Sequence, residues 1–144
     1  YIKEYSDSGA DIITFHPEAT ENMKDTISLI KSLNKKVGVS LNPDSEINKI
    51  SNYLDGIDLV LVMSVFPGFG GQKFIPEVLN KIKTLKELKD KNNYNFDIEV
   101  DGGVNFSNSK DILKAGANIL VSGTTVFKEN NGDIKKNIET LKLV

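Results

Sequence analysis

The 144-residue chain has the length of about one domain, an apolar fraction of 39% that is ordinary for a globular protein, and a formal net charge of -2. It contains no cysteine, which excludes disulfides and thiolate chemistry. The slightly acidic balance argues against general binding of nucleic acids, because proteins that bind polyanions usually carry a basic face. All 18 basic residues are lysine, so a phosphate group would be held by backbone N–H groups, hydroxyls or lysine.

No apolar run approaches the length that a membrane span requires. The first residues also lack the basic-then-apolar layout of a signal peptide. We therefore expect a cytoplasmic protein without a membrane partner.

Strands and helices alternate along the whole sequence. Residues 1–9 have the pattern of the last turns of a helix. The predicted strands, in chain order, are Ile12–Phe15, Lys36–Leu41, Leu59–Met63, Phe96–Val100 and Ile119–Val121. A predicted helix follows each of them, and its apolar residues recur at helical spacing.

The apolar faces of these helices define their positions. They comprise Met23, Ile27, Ile30 and Leu33; Ile47, Ile50 and Leu54, after an opening at 43–45; Val78, Leu79, Ile82, Leu85 and Leu88, after Pro76; the segment Ser107–Ala115, closed by Gly116; and Ile134, Ile138 and Leu141. Amphipathic helices between strands that are apolar on both faces predict a parallel sheet covered by helices.

The repeat of five βα units points to a particular fold class. A complete TIM (β/α)₈ barrel of typical size has about 250 residues, so five units would be roughly its C-terminal five-eighths. We expect residues 1–144 to form a single domain that is a partial barrel of five βα units. We also expect its open strand edges to make the isolated piece unstable or prone to aggregation.

Polar, glycine-rich loops follow three of the predicted strands. Gly68, Gly70 and Gly71 lie in the segment 64–74, which we call the glycine loop; Gly102 and Gly103 follow the fourth strand, and Gly123 and Thr124 follow the fifth. Glycines in any one loop could serve only a tight turn, but in α/β folds ligands bind where the carboxyl ends of the strands meet. Three such loops at one end predict a site for a phosphorylated ligand.

Three further residues are candidates for that site. Asp101 ends a strand, where a carboxylate acts as an acid, a base or a metal ligand, although it could equally cap the next turn. His16 also ends a strand, but a structural histidine is an equally good interpretation. Met63 reads more simply as core filler than as a neighbour of a metal.

The motifs around these loops resemble a known family. Residues 63–74, MSVFPGFGGQKF, closely resemble the sixth-strand motif of the ribulose-phosphate 3-epimerases. Residues 99–104, EVDGGV, resemble the motif of the family's seventh strand, and residues 121–127, VSGTTVF, resemble that of its eighth strand. Residues 10–19 and 41–43 are similar to the regions of the fourth and fifth strands. Phe66 and Thr124 depart from the pattern, because family members often have a polar residue and serine there. The resemblance covers essentially the whole chain and implies a barrel of the ribulose-phosphate-binding type.

The resemblance also implies a reaction in the pentose phosphate pathway. The family inverts C3 between D-ribulose 5-phosphate and D-xylulose 5-phosphate, using two aspartates and a divalent metal ion that is zinc, iron(II), manganese or cobalt. Asp101 matches the seventh-strand aspartate, which is both an acid/base group and a metal ligand. The substrate-binding positions that match are Met63, Gly68, Phe69, Gly70, Gly71, Gly102, Gly103, Gly123 and Thr124. The full-length family members commonly form homo-oligomers, and the expected partner is a phosphopentose.

The rest of the family's site does not match this sequence. The second aspartate and two histidine ligands belong to the second and third strands, which would precede Tyr1, and His16 matches neither histidine. We therefore expect the chain alone to keep the phosphate loops but to lack turnover and a tight metal site. Two alternatives stay open: another phosphosugar barrel, such as an allulose 6-phosphate 3-epimerase or a hexulose-phosphate synthase, and a catalytically silent phosphosugar-binding fragment.

Overall fold

The structure, a computed structural model, describes residues 1–68 and 70–142. Its five strands form one parallel sheet, in which they are ordered as they are along the chain. They are β1 (Ile12–Phe15), β2 (Lys36–Leu41), β3 (Leu59–Met63), β4 (Asp97–Asp101) and β5 (Ile119–Val121). The α-helices are α1 (Ile2–Asp7), α2 (Met23–Ser32), α3 (Val78–Asn92), α4 (Ser109–Ala115), α5 (Thr124–Lys128) and α6 (Ile134–Lys142).

The two faces of the sheet have different roles. One face packs against the helices, and its alternate residues form the centre of the hydrophobic core: Val37, Val39, Leu41, Val60, Val62, Ile98 and Val100. On the other face, Met63 lies opposite Asp101, and Asp101 lies opposite Val121. Cross-strand partners in a sheet share a face, so these three side chains lie side by side at the carboxyl ends of β3, β4 and β5.

Local signals in the sequence set the ends of the helices. The side chain of Asn22 accepts a hydrogen bond from the Asp25 N–H at 3.2 Å and caps α2. Gly116 ends α4, as predicted, and has a φ of 121°. Asn93 ends α3 with a φ of 54°, in the left-handed region. In the part of the chain that the structure describes, no helix is long and apolar enough to cross a membrane.

The predicted helix after β2 is wrong. The chain there forms two 3₁₀ segments, Ile47–Lys49 and Ser51–Gly56. The reason is the local polar side chains: Asn48 donates a hydrogen bond to Glu46, and the Ser51 hydroxyl donates one to the Asn48 carbonyl. The bond from Ser51 occupies a backbone carbonyl, and such local side-chain bonds to the backbone compete with a regular α-helix.

Smaller differences concern the ends of elements. Both ends of β4 lie one residue later in the chain than predicted. α3 begins at Val78 rather than Pro76, and α4 begins at Ser109 rather than Ser107. The Asn108 side chain accepts a hydrogen bond from the Asn105 N–H and the Asn105 side chain accepts one from the Ser107 N–H, which holds residues 105–108 in a turn before α4.

The predicted inward face of α6 is only partly buried. Leu141 is in the core, but Ile134 is 45% exposed and Ile138 is 38% exposed. Ile138 lies in an open groove beside β5, together with Leu113, Leu120, Val126 and Leu141. The apolar periodicity therefore predicted the helix correctly, but it did not predict how much of the helix's apolar face is buried.

The first and last strands are the edges of this sheet, since each pairs with a single described strand. An unpaired edge can recruit another chain, and a lysine on it blocks such pairing. We predict that the 144-residue chain elutes at a concentration-dependent volume and that Ile12→Lys, on the exposed part of β1, shifts it towards the monomer. Leu29→Lys is the matched control, because Leu29 is similarly exposed at 47% but lies on α2. A shift of equal size with both variants would contradict an edge-mediated association.

Candidate functional site

A cleft of about 930 Å³ lies at the carboxyl ends of β3, β4 and β5. The structure brings nearly all of the predicted site residues to its wall: Met63, Gly68, Gly70, Gly71, Asp101, Gly102, Gly103, Gly123 and Thr124. Phe69 falls outside the described residues. The loops that carry these residues are far apart in sequence and meet here because parallel strands place their carboxyl ends at one edge.

Asp101 is a titratable group in the wall of this cleft. It is the last residue of β4, its side chain is half-buried, and burial raises the pKa of its carboxyl group above the ordinary value. Glu99 lies two residues earlier on the same face of the strand, and burial together with the nearby Asp101 charge raises its pKa as well. A carboxyl group whose pKa is raised by burial, in a cleft, is a candidate for acid/base chemistry.

Gly102 and Gly103 pack tightly against the two ends of the glycine loop. A Cβ on Gly102 would lie 2.9 Å from the Val65 nitrogen, and one on Gly103 would lie 2.4 Å from the Phe74 nitrogen. Both residues have positive φ, at 127° and 65°. Close backbone approach thus explains these glycines as fully as contact with a phosphate would.

Polar side chains hold the segment that follows. Asn108 donates a hydrogen bond to the Gly103 carbonyl at 2.9 Å. The Val104 carbonyl accepts hydrogen bonds from the hydroxyls of Ser122 at 2.7 Å and Thr125 at 3.1 Å. These bonds fix the loop after β4 to the loop after β5, so two walls of the cleft are tied together.

The wall after β5 is more open. Gly123 precedes α5 with φ at -93°, and a Cβ placed on it would have no atom within 4 Å. Its backbone and the exposed Thr124 are therefore accessible from the cleft.

Some residues of the cleft escaped prediction. Lys73 lines it and brings a cation to a site predicted to take an anion, and Asn105, Ser107, Asn108 and Ser122 add polar groups. Lys73 could have been found from its place two residues after Gly71, the last glycine of the loop. The asparagines could not, because nothing in their spacing distinguishes a turn that faces a ligand from one that faces solvent.

His16 lies apart from this cleft, at the end of β1. Its Nδ1 atom is buried without a hydrogen-bond partner among the described residues. The neighbouring end of β2 is held by Lys81, whose ammonium group donates hydrogen bonds to the carbonyls of Asn42 at 2.7 Å and Pro43 at 2.9 Å. Burial lowers the pKa of Lys81.

Glu18 links the ends of β1 and β2 through its carboxylate. It accepts hydrogen bonds from Lys49 at 2.7 Å and from the Ser45 hydroxyl at 3.0 Å. The hydrogen bond from Lys49 is the largest cause that lowers the pKa of Glu18 to about 2. The Glu18 side chain is nevertheless 41% exposed, so solvent screening keeps the contribution to stability at roughly 1 kcal/mol or less.

We predict that Lys49→Met slightly lowers the free energy of unfolding at pH 7, because an exposed ion pair contributes little to stability. Because the pKa of Glu18 is depressed in the fold, this stabilisation is present above the ordinary glutamate pKa and is lost as pH falls towards 2. Urea unfolding of both proteins at several pH values measures the effect, with Lys83→Met on α3 as control. A deficit that does not shrink on acidification would contradict this origin.

The donor set of the cleft meets the needs of a divalent cation only in part. The Asp101 carboxylate is a suitable hard oxygen ligand. Within residues 1–68 and 70–142, however, no three His, Cys, Asp or Glu side chains come together to hold a metal ion. The described residues therefore supply one ligand and not a complete site.

Comparison with known proteins identifies the relatives of this chain. The model of the "Ribulose-phosphate 3 epimerase family" matches residues 1–127. Proteins named ribulose-phosphate 3-epimerase are similar to it. The one from Buchnera aphidicola subsp. Baizongia pistaciae is 49% identical, and the match covers 92% of this chain and 58% of the relative. The one from Bacillus subtilis is 46% identical, and the match covers 99% of this chain and 65% of the relative. The chain thus spans about 58 to 65% of the length of these relatives.

Solved structures with low sequence identity share the fold. A mutant tryptophan synthase alpha-subunit from Pyrococcus furiosus superposes with a TM-score of 0.67 at 20% identity, covering 97% of this chain and 58% of that one. The 3-hexulose-6-phosphate synthase of Salmonella typhimurium superposes with a TM-score of 0.66 at 20% identity, and the match covers 97% of this chain and 65% of that one. Together with the five parallel strands and their helices, this supports the predicted partial α/β barrel. The family match and the sequence identities lead to one conclusion: this chain belongs to the ribulose-phosphate 3-epimerase family.

Proposed function

We propose that the whole protein interconverts D-ribulose 5-phosphate and D-xylulose 5-phosphate by proton transfer at C3. The observation that carries this proposal is the position of Asp101, a half-buried carboxylate with a raised pKa, in one cleft with the glycine loop and with Gly123. Membership of the family supports the choice of substrate.

Each wall of the cleft has a role in this proposal. Asp101 exchanges a proton with C3 on one face of the sugar. The backbone N–H groups of Gly68, Gly70 and Gly71, and of the Gly123–Thr124 turn, hold the phosphate end of the ligand, with Lys73 as the nearby cation. Phe69 belongs to the same proposed contact set.

Asp101 is also the proposed ligand of a divalent metal ion, which when bound would supply Lewis-acid stabilisation of negative charge on the substrate oxygens. We propose that the other ligands and the second aspartate come from other parts of the whole protein. The described residues supply a single ligand for this ion. Its identity among zinc, iron(II), manganese and cobalt, a homo-oligomeric state and a cytoplasmic location remain predictions.

Incubation with D-ribulose 5-phosphate in D₂O tests the reaction, with NMR to follow the products. We expect the whole protein to form xylulose 5-phosphate and to incorporate deuterium at C3. We expect the 144-residue chain alone to show no turnover. Absence of deuterium incorporation by the whole protein, after loading with each candidate metal, would sink the proposed function. Competition with allulose 6-phosphate decides the length of the preferred sugar.

A further inference from the structure

Ser64 connects the glycine loop to the segment that carries Asp101. It follows β3 directly and is completely buried, with 0% exposure. Its backbone N–H donates to the Asp101 carbonyl at 2.8 Å, and its hydroxyl lies 2.6 Å from the Gly102 carbonyl and 3.0 Å from that of Asp101. A hydroxyl has one proton to donate, and the shorter distance identifies the Gly102 carbonyl as its main acceptor.

Ser64 also closes the glycine loop on itself. Its carbonyl accepts a hydrogen bond from the Ile75 N–H at 2.9 Å, so the two ends of the loop meet at this residue. One residue thereby holds both ends of the loop together and binds the carbonyls of Asp101 and Gly102.

The two glycines after Asp101 complete this contact from the other side. The Cα of Gly102 lies against Val65, at the start of the loop, and the Cα of Gly103 lies against the backbone of residues 72–74, at its end. The segment after Asp101 therefore fits between the ends of the glycine loop, and Ser64 is the hydrogen-bonded link between them.

We propose that Ser64 is a positioning residue, which fixes the Asp101 carboxylate relative to the ligand-binding glycines through its hydrogen bonds to residues 101 and 102. The proposal rests on the proposed function of Asp101. Ser64 touches no reacting atom, but it sets where the backbone of Asp101 stands with respect to the loop that holds the substrate. A displacement of about 1 Å at a reacting group can cost on the order of 100-fold in rate.

A buried serine that only satisfies two carbonyls would have a different signature. Its removal would lower stability and leave the turnover of the folded molecules unchanged. A positioning role instead predicts a loss in kcat at nearly constant KM, because ground-state contacts with the loop glycines remain while the acid/base group is misplaced.

The first test uses the whole protein with the variants Ser64→Ala and Ser64→Thr. We expect Ser64→Ala to reduce kcat by about 10- to 100-fold with KM within about threefold, and Ser64→Thr, which keeps the hydroxyl, to restore most of kcat. Ser40→Ala is the matched control, since Ser40 is also buried, at 2% exposure, but its hydroxyl has no hydrogen-bond partner among the described residues. A kcat within about twofold of the parent for folded Ser64→Ala, or an equal loss for Ser40→Ala, would overturn the proposal.

The second test measures amide hydrogen exchange and does not depend on activity. In Ser64→Ala we expect exchange to accelerate about tenfold at both Ile75 and Asn105, one amide on each side of the link, and to stay unchanged at Ile30 in α2. Acceleration at neither or only one side would overturn the link between the two segments. If Ser64→Ala does not fold, Ser64→Cys, a weaker donor of similar size, gives the same comparison. If the parent protein is inactive but exchange in Ser64→Ala accelerates at both Ile75 and Asn105, the proposed function is refuted while the hydrogen-bonded link through Ser64 stands.

Discussion

Replacement of Asp101 by asparagine is expected to abolish epimerase turnover in the whole protein, by on the order of 1,000-fold or more. The amide has nearly the shape of the carboxylate but can neither accept nor deliver the C3 proton. Deuterium incorporation at C3 measures this loss directly. Asp111→Asn, an exposed residue in the first turn of α4, is the control and should leave turnover unchanged. Turnover by Asp101→Asn within about tenfold of the parent would remove Asp101 from the proposed chemistry.

The same variant is expected to raise thermal stability. Burial raises the pKa of the Asp101 carboxyl group, so the ionised form is disfavoured in the fold. The sign follows from linkage: this group costs no stability below the ordinary aspartate pKa of about 4, and the cost develops as pH rises from there through the raised pKa. Asp101→Asn should therefore increase Tm at pH 7 more than at pH 3. A functional carboxylate commonly carries such a cost.

Gly103→Ala is expected to destabilise the fold more than alanine at any other glycine that lines the cleft. A Cβ at this position would lie 2.4 Å from the Phe74 nitrogen and 2.8 Å from the Gln72 oxygen, both of them backbone atoms that cannot rotate away. The positive φ of 65° adds strain for any residue with a side chain. We expect a cost of about 3 kcal/mol, which for a chain of this size lowers Tm by roughly 10 °C.

Gly123→Ala is the matched control for that experiment. Its φ of -93° suits alanine, and its Cβ would enter open space. Tm should therefore stay within about 2 °C of the parent, while the proposed phosphate contact is weakened. Equal losses of Tm in the two variants, measured by differential scanning calorimetry, would mean that loop contact does not distinguish these glycines.

The sequence was most informative where periodicity decides structure. All five strands were predicted at or within one residue of their observed bounds. Their apolar runs are short, rich in β-branched residues and bounded by turn signals, which together indicate strands rather than helices. Prediction failed after β2, where apolar residues recur at helical spacing but the chain forms two 3₁₀ segments. There the Ser51 hydroxyl binds the Asn48 carbonyl, and the Asn48 side chain binds the Glu46 carboxylate. Periodicity reports which residues are buried. Ile47, Ile50 and Leu54 are indeed buried or partly buried, with Ile50 between the two 3₁₀ segments.

For the cleft, sequence reasoning gave the candidate residues but not their relations. The glycines and Asp101 stood out because their types are informative at strand ends. Ser64 did not, since a serine between Met63 and Val65 carries no signal of its own. Its part in joining two loops that are 37 residues apart emerges only from the distances to the Asp101 and Gly102 carbonyls.

The contact between the glycine loop and the residues after Asp101 also bears on protein engineering. A loop grafted from another phosphosugar barrel in place of residues 65–74 would have to meet Gly102 and Gly103 with the same backbone path. Under the proposed function, substrate preference and acid/base placement would therefore be inherited together in this scaffold. The unit to exchange in such a graft is therefore residues 64–75 together with residues 101–104.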